Sequence, residues 1–293
     1  MSHVDVHKFH YAVVSKIPES FARNAHIVNK NIPIDLNLAT RQHDEYVDVL
    51  RRLGIDILEL PPDERHPECV FVADVAVVIN GTALICKPSD RRIGETSIVR
   101  NSLRNDLGLR IVEVDNDQAK LEGTDVLFTG MTAKEIIVGL GNYTNKEGAQ
   151  CVAKAFPEYA VTIVRLPQEV RHLQQVMSVA GPDVIVVIRG KIGQECLQEM
   201  VSRATYAYKV MRVDELDAAN VLYVNGLILH LDHKAIPESF PIWEAKFDNR
   251  LGLDYSELLK AGSYLTAGAI LISKPSNYNK TFQTSLEKGH HEL

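Results

Sequence analysis

Apolar residues recur at helical spacing in five segments of the chain, and in the first of them charged residues occupy the opposite face. The clearest of these stripes covers 38–53. The weaker stripes cover 95–107, 145–156, 193–204 and 242–251. Extended apolar runs separate them, and the last run, 264–272, indicates a buried strand entered through a turn of small residues. Helices that alternate with apolar strands in this way predict an α/β chain.

The exits from the predicted helices resemble one another. Gly54 and Gly108 each stand between a leucine and an apolar run, and Gly252 marks a weaker third copy. Glycine at this point suits a helix C-terminus, where the chain needs a left-handed residue. The pattern predicts helix ends at these glycines and a structural repeat of roughly 50 residues.

Two Asn-Gly pairs lie between short apolar runs, at Asn80-Gly81 and Asn225-Gly226. A two-residue hairpin turn needs positive φ at both central residues, which asparagine and glycine tolerate best. Each pair therefore predicts a β-hairpin. Since no linker rich in Pro, Gly or Ser divides the chain, we expect one domain over 1–293, with a poorly ordered polar tail after about residue 275.

Composition removes several classes of function. The chain has 293 residues, 45% hydrophobic and 24% charged, with a net charge of -6. These values are typical of a soluble globular protein. The lack of a basic block argues against nucleic acid, and the lack of a long apolar run argues against a membrane span. The N-terminus lacks an apolar signal core, so we expect a cytoplasmic protein.

The four cysteines are Cys69, Cys86, Cys151 and Cys196. Their spacing matches no metal site, and a disulfide framework is unusual in so long a chain. We expect buried, reduced thiols, and we predict neither a metal nor a cofactor.

Four blocks of sequence resemble the dimethylarginine dimethylaminohydrolase family, a branch of the pentein superfamily of guanidine-modifying enzymes. The blocks are 59–64 with 67–78, LEGTDVLFTG at 121–130, His172-Leu173 with 177–182, and 264–272. The resemblance implies a pentein fold, which is a five-bladed α/β propeller of ββαβ repeats with pseudo-fivefold symmetry. It also implies an active site for hydrolysis of methylated arginine to citrulline.

Hydrolysis of a guanidinium group sets chemical demands that the resemblance helps to assign. Carboxylates bind the planar cation through charge-assisted hydrogen bonds, a thiolate attacks its carbon, and a histidine moves protons. The resemblance implies catalytic roles for His172 and for Glu122, which would hold the histidine. It implies ligand binding by Glu68 and Asp74, and binding of the substrate carboxylate by Arg91 or its neighbour Arg92.

The chain departs from the family pattern at four positions. Ala73 replaces an acidic residue, Tyr143 stands where a second carboxylate-binding arginine is expected, and Gly262 replaces another acidic residue. Most important, Ala267 follows Leu265-Thr266, where the family carries its nucleophilic cysteine. A methyl group cannot attack carbon. Alanine is also what an experimenter would introduce, but the three further departures favour a natural loss.

The sequence therefore favours a pseudoenzyme that has lost thiol chemistry and that binds a small arginine-like ligand or a protein partner. Two alternatives stay open. The first is an active hydrolase in which water attacks a guanidine compound directly with the help of His172. The second is a structural or storage protein, for which stability alone matters.

Overall fold

The computed structural model describes residues 8–26, 32–130 and 134–274. Its strands are β1 Tyr11–Ser15, β2 Asp56–Leu60, β3 Ala76–Ile79, β4 Thr82–Ile85, β5 Arg110–Glu113, β6 Val126–Phe128, β7 Glu135–Leu140, β8 Ala160–Arg165, β9 Met177–Val179, β10 Val184–Ile188, β11 Lys209–Val213, β12 Leu222–Val224, β13 Leu227–Leu231, β14 Arg250–Leu253 and β15 Ile270–Ile272. Its α-helices are α1 Phe21–Asn24, α2 Leu36–Arg52, α3 Thr96–Asn105, α4 Lys146–Ala155, α5 Leu173–Val176, α6 Lys191–Val201, α7 Phe240–Lys246 and α8 Ser256–Leu259.

The strands form five sheets of three strands, and each sheet repeats one connection. In the sheet β3-β4-β5, the first two strands form an antiparallel hairpin, α3 follows, and β5 returns parallel to β4. The sheets β6-β7-β8, β9-β10-β11 and β12-β13-β14 repeat this order with α4, α6 and α7. These are the expected ββαβ units.

The fifth sheet joins the two ends of the described chain. Strand β1 pairs antiparallel with β15, at Tyr11 opposite Ile272, and parallel with β2, at Tyr11 opposite Asp56. The first strand of this unit is therefore supplied by the C-terminal part of the chain. Pairing of distant segments in one sheet closes the ring of blades.

The inner strands of all five sheets, β3, β6, β9, β12 and β15, line one central cavity of about 1270 Å³, measured with its opening to solvent. Each inner strand directs alternate side chains toward the axis. Most of these side chains are Ala, Val, Ile, Leu or Phe, so the wall is mostly apolar. Five ββαβ units around a common axis confirm the predicted fold.

Four of the five predicted helices are confirmed, as α2, α3, α4 and α6. The fifth prediction, 242–251, is wrong in its second half. Helix α7 ends at Lys246, and Leu251 lies in β14, where it pairs with Leu229 of β13. Arg250 and Leu251 of that segment pair with β13 as a parallel strand, a long-range pairing that helical periodicity does not detect.

The predicted turns can be compared with the backbone at each glycine. Gly54 and Gly108 follow α2 and α3 with φ of 74° and 62°, as expected of helix ends. Gly252 lies inside β14, so the third copy of this pattern was wrong. Both Asn-Gly hairpins are confirmed, since asparagine and glycine have positive φ in each turn.

No helix among the described residues is long and apolar enough to cross a membrane. The polar tail predicted after residue 275 lies outside the described residues.

Candidate active site

A short helical turn precedes each inner strand, so these turns gather at one end of the ring. Three of them, Val72–Asp74, Gly123–Asp125 and Leu265–Ala267, enter β3, β6 and β15. A second, tighter cavity, of about 320 Å³ when its opening to solvent is included, lies among them. It is lined by Phe71, Asp74, Thr124, Arg171, His172, Gln174, Gln175, Asn220, Ala261, Gly262, Ser263, Tyr264, Thr266 and Ala267.

The first two turns touch through Gly123. A Cβ atom at this position would lie 1.9 Å from the carbonyl oxygen of Ala73, far inside van der Waals contact. Only glycine allows so close an approach of two backbones. The contact places Asp74 next to Thr124, whose Oγ1 donates to Asp74 Oδ1 at 2.5 Å.

Asp74 is buried and forms an ion pair with Arg92. The same guanidinium donates through Nε to Glu95 Oε1 at 3.0 Å and through Nη2 to Glu95 Oε2 at 2.7 Å. Burial tends to raise the pKa of Asp74, but the charges of Arg92 and His172 and the hydrogen bonds from Thr124 and Arg92 together hold that pKa below its ordinary value. Asp74 therefore stays ionised at the wall of the cavity.

His172 lies between two carboxylates. Its Nε2 is 3.6 Å from Glu122 Oε2, and its Nδ1 is 3.4 Å from Asp125 Oδ1. Asp125 is held in place by the Thr144 hydroxyl, at 2.7 Å, and by the backbone N–H of Leu173, at 2.9 Å. A histidine oriented in this way is the arrangement expected of a general acid and base.

The protonation of this group follows from its burial and charges. Burial tends to lower the pKa of His172, but the neighbouring carboxylates of Asp125, Asp74 and Glu122 together raise it above its ordinary value. Burial, followed by the negative charge of Asp74, raises the pKa of Glu122 to about 7. Neither oxygen of Glu122 has a hydrogen-bond partner among the described residues. Glu122 therefore takes up or releases a proton near neutral pH, beside the imidazole of His172.

Ala267 lies at the wall of the same cavity and is 3% exposed. Its turn is fixed from two sides. The Tyr46 hydroxyl of α2 donates to the Leu265 carbonyl at 3.0 Å. The Asn220 amide donates both to Thr266 Oγ1 at 2.7 Å and to the Gln174 carbonyl at 2.8 Å. Asn220 thus joins the turn that carries Ala267 to the helix that follows His172.

Two of the residues predicted to bind ligand lie elsewhere. Glu68 is buried, but it accepts a hydrogen bond from the backbone N–H of His26 at 2.8 Å and does not line the cavity. Arg91 lies 3.8 Å from Glu68 and donates to the Asn24 carbonyl at 2.6 Å. In the structure both side chains contact the backbone of residues 24–26. A role for them in binding a ligand remains a prediction.

The structure refines the predicted site at several residues. Of the two arginines that the sequence left open, Arg92 turns inward, and Asp125, which sequence reasoning missed, lies as close to His172 as Glu122 does. Position 262 has φ of 72°, a left-handed conformation that favours glycine for backbone reasons. Tyr143, at the position of the missing arginine, packs its ring against His172 with centroids 4.9 Å apart.

A metal ion has one candidate set of ligands among the described residues. Single atoms of Asp74, Glu122 and His172 lie within 4.8 Å of one another. However, Asp74 already neutralises Arg92 and accepts from Thr124. Of this set, only Glu122 and His172 are therefore not paired with a cation already and would be available to a metal ion.

Comparisons with known proteins point to one family. The profile of the family described as "N,N dimethylarginine dimethylhydrolase, eukaryotic" matches residues 15–239. The putative hydrolase DDAH2 of Homo sapiens is 35% identical over 274 residues, which are 90% of this chain and 94% of that protein. The N(G),N(G)-dimethylarginine dimethylaminohydrolase of Streptomyces coelicolor is 36% identical over 53% of this chain and 58% of its own length.

Solved structures share the fold. The dimethylarginine dimethylaminohydrolase of Pseudomonas aeruginosa, a cysteine-to-serine mutant in complex with citrulline, superimposes with a TM-score of 0.77 at 22% identity. The alignment covers 90% of this chain and all of that one. The N-terminal domain of a cyanobacterial arginine dihydrolase bound to its substrate, also a cysteine-to-serine mutant, gives 0.76 at 18% identity, over 90% and 98% of the two chains.

Proposed function

Because the chain belongs to the dimethylarginine dimethylaminohydrolase family, we propose that it binds an arginine-like amino acid in the cavity beside His172 without the family's thiol chemistry. The observation that carries the proposal is the pairing of a complete proton-transfer group with an alanine. His172, Glu122 and Asp125 are in place, and Ala267 occupies the neighbouring wall of the same cavity.

The charges of the site support a cationic ligand group. Four buried carboxylates, those of Asp74, Glu95, Glu122 and Asp125, outnumber the three basic side chains of the site, those of Arg92, Arg171 and His172. A guanidinium ion brought to Asp74 and Glu122 would offset the excess negative charge. It would also supply donors to the oxygens of Glu122, which have none among the described residues.

The lack of a nucleophile supports binding without turnover. In the thiol pathway, sulfur attacks the guanidinium carbon, an amine leaves with a proton from histidine, and water then releases the citrulline product. The first step needs a nucleophile that Ala267 lacks. Removing a nucleophile alone lowers turnover by about six orders of magnitude in a well-characterised protease.

Calorimetry and a product assay on the full chain test the proposal together. We expect saturable binding of asymmetric dimethylarginine or arginine, and no citrulline after long incubation. Asp74→Asn should weaken binding, and its fold should persist because Arg92 keeps its pair with Glu95. Asp90→Asn, an exposed change, serves as the control. Absence of binding by the unmodified protein would refute the proposal.

Hydrolysis by water is the second candidate, and the position of His172 favours it. The imidazole lines the cavity next to a small side chain, so a water molecule could be activated where the thiol would stand. This candidate requires citrulline release that is unaffected by thiol alkylation and abolished in His172→Ala. Absence of product from every guanidine compound tested would eliminate it.

A further inference from the structure

Arg171 is a cationic side chain of the cavity that the resemblance to the family assigns no role. It lies in the loop between β8 and α5, directly before His172, and lines the cavity. Its backbone is fixed, because its N–H donates to Gln175 Oε1 at 2.9 Å and Gln175 Nε2 donates to the Tyr264 hydroxyl at 2.8 Å.

Arg171 is half-buried, and two of its three guanidinium nitrogens lack an acceptor in the part of the chain that the structure describes. Its Nε and Nη1 atoms are shielded from solvent and have no hydrogen-bond partner, and it forms no ion pair with a described residue. Burying unpaired donors of a charged group is costly unless an anion completes the site. Arg92, by contrast, is saturated by Asp74 and Glu95.

Tyr143 accounts for the position of this cation. The guanidinium carbon of Arg171 lies 5.3 Å from the centre of the Tyr143 ring, a cation–π contact that holds it over the ring. Position 143 is where the resemblance places a carboxylate-binding arginine. The chain therefore has a guanidinium beside that position, supplied by a different segment.

We propose that Arg171 binds the carboxylate of the ligand, so that the cavity selects amino acids over amines that lack a carboxylate. This inference rests on the proposed function, in which Asp74 and Glu122 receive the cationic group. A cavity with the carboxylate of Asp74 at its wall, and at another point a guanidinium with two unpaired nitrogens, suits a ligand that carries both charges. Planar guanidinium and carboxylate groups match each other in hydrogen bonding.

Calorimetry of the full chain with three ligands tests the inference. Arginine carries both groups, agmatine carries the same guanidinium without the carboxylate, and citrulline carries the carboxylate with a neutral side chain. We expect the unmodified protein to bind arginine about tenfold or more tighter than agmatine, since hydrogen bonds to charged groups contribute that much. Arg171→Gln should weaken arginine and citrulline by a similar factor and leave agmatine within about twofold.

Two further variants separate binding from folding. Arg171→Lys keeps the charge but not the planar fork, so it should recover part of the affinity for arginine. Arg104→Gln, an exposed change in the last turn of α3, should alter no affinity. If Arg171→Gln weakens arginine and agmatine equally, or weakens neither, the inference is overturned while the proposed function stands.

The ligands also distinguish this inference from the proposed function. Citrulline binding that depends on Arg171, without binding of arginine or agmatine, would support the carboxylate site and refute a cation site at Asp74 and Glu122. Failure of the unmodified protein to bind any of the three would overturn both.

Discussion

Glu122 is a buried carboxyl group under electrostatic strain, because like charges surround it. It is 1% exposed, faces Asp74 and Asp125, and has no hydrogen-bond donor among the described residues. Its oxygen lies 3.6 Å from His172, which is near enough for attraction but longer than a direct hydrogen bond. A carboxyl group in this position favours its neutral form until a cation approaches.

This strain predicts a dependence of stability on pH. The pKa of Glu122 is about 7 in the folded protein, against an ordinary value of 4.5. Between these values the folded state holds a proton that the unfolded state releases, so the free energy of unfolding falls as pH rises from 4.5 through 7. Glu122→Gln should remove about 2 kcal/mol of that fall.

Urea unfolding of the protein and of Glu122→Gln at pH 5 and pH 8 measures the effect. The variant should gain stability relative to the parent at pH 8. Glu45→Gln, an exposed change in α2, should leave the pH dependence as it is. Equal pH dependence of the parent and Glu122→Gln would contradict the account.

Asn220 is a second residue that stabilises the site, because it forms hydrogen bonds to two separate segments. Its amide bridges Thr266 and the Gln174 carbonyl, and its Oδ1 accepts from the Thr266 N–H at 3.2 Å. Asn220→Ala should lower the free energy of unfolding by about 1–3 kcal/mol because it leaves buried groups unpaired. Asn105→Ala, an exposed change at the end of α3, should lie within about 0.5 kcal/mol of the parent. Chemical denaturation compares them, and equal effects would contradict the bridging role.

Some residues of the site could be predicted from sequence and others could not. His172, Asp74 and Glu122 lie in recognisable blocks, and the structure brings these three together. Arg171 precedes the histidine but gave no signal, because its relevance arises from the distant Tyr143 ring. The choice between Arg91 and Arg92 depends on which side chain turns inward, and two adjacent residues of one type do not reveal that.

At the scale of elements, the site depends on two short turns that touch. The carbonyl oxygen of Ala73 fits against Gly123, and this contact sets the distance between Asp74 and the second turn. The sequence shows a glycine in the second block but not the backbone that it meets. Element boundaries failed for the same reason at β14, where pairing with β13 overrides an apolar helical stripe.

Gly123→Ala tests the contact between these turns. A methyl group placed 1.9 Å from a backbone oxygen forces the turns apart, so we expect a loss of about 2–4 kcal/mol in stability and a loss of ligand binding. At Gly141 an added Cβ would meet its nearest atom at 3.4 Å, an ordinary contact, so Gly141→Ala should cost less than about 1 kcal/mol. Urea denaturation and calorimetry compare the two. Similar costs would show that the turns are not tightly packed.

At the scale of the whole molecule, the blades share one ring because β15 joins the sheet of β1. No blade can separate without losing an inner strand from the central cavity. We therefore propose that the blades form a single cooperative domain, as the sequence suggested.

The lone tryptophan tests this cooperativity. Trp243 is buried in α7 and reports on the blade of β12, β13 and β14, while far-ultraviolet circular dichroism reports on every blade. Fluorescence and dichroism should give the same denaturant midpoint. Separate midpoints would mean that this blade unfolds on its own.

The most direct test of the central claim is citrulline release from asymmetric dimethylarginine by the protein and by Ala267→Cys. We predict no product from the parent and product from the variant, because a thiol at position 267 would share the cavity with His172, which can accept its proton. His172→Ala in the variant background should abolish the product again. Citrulline release by the parent at a rate that Ala267→Cys does not exceed would contradict the account. Absence of citrulline from both proteins would contradict it as well.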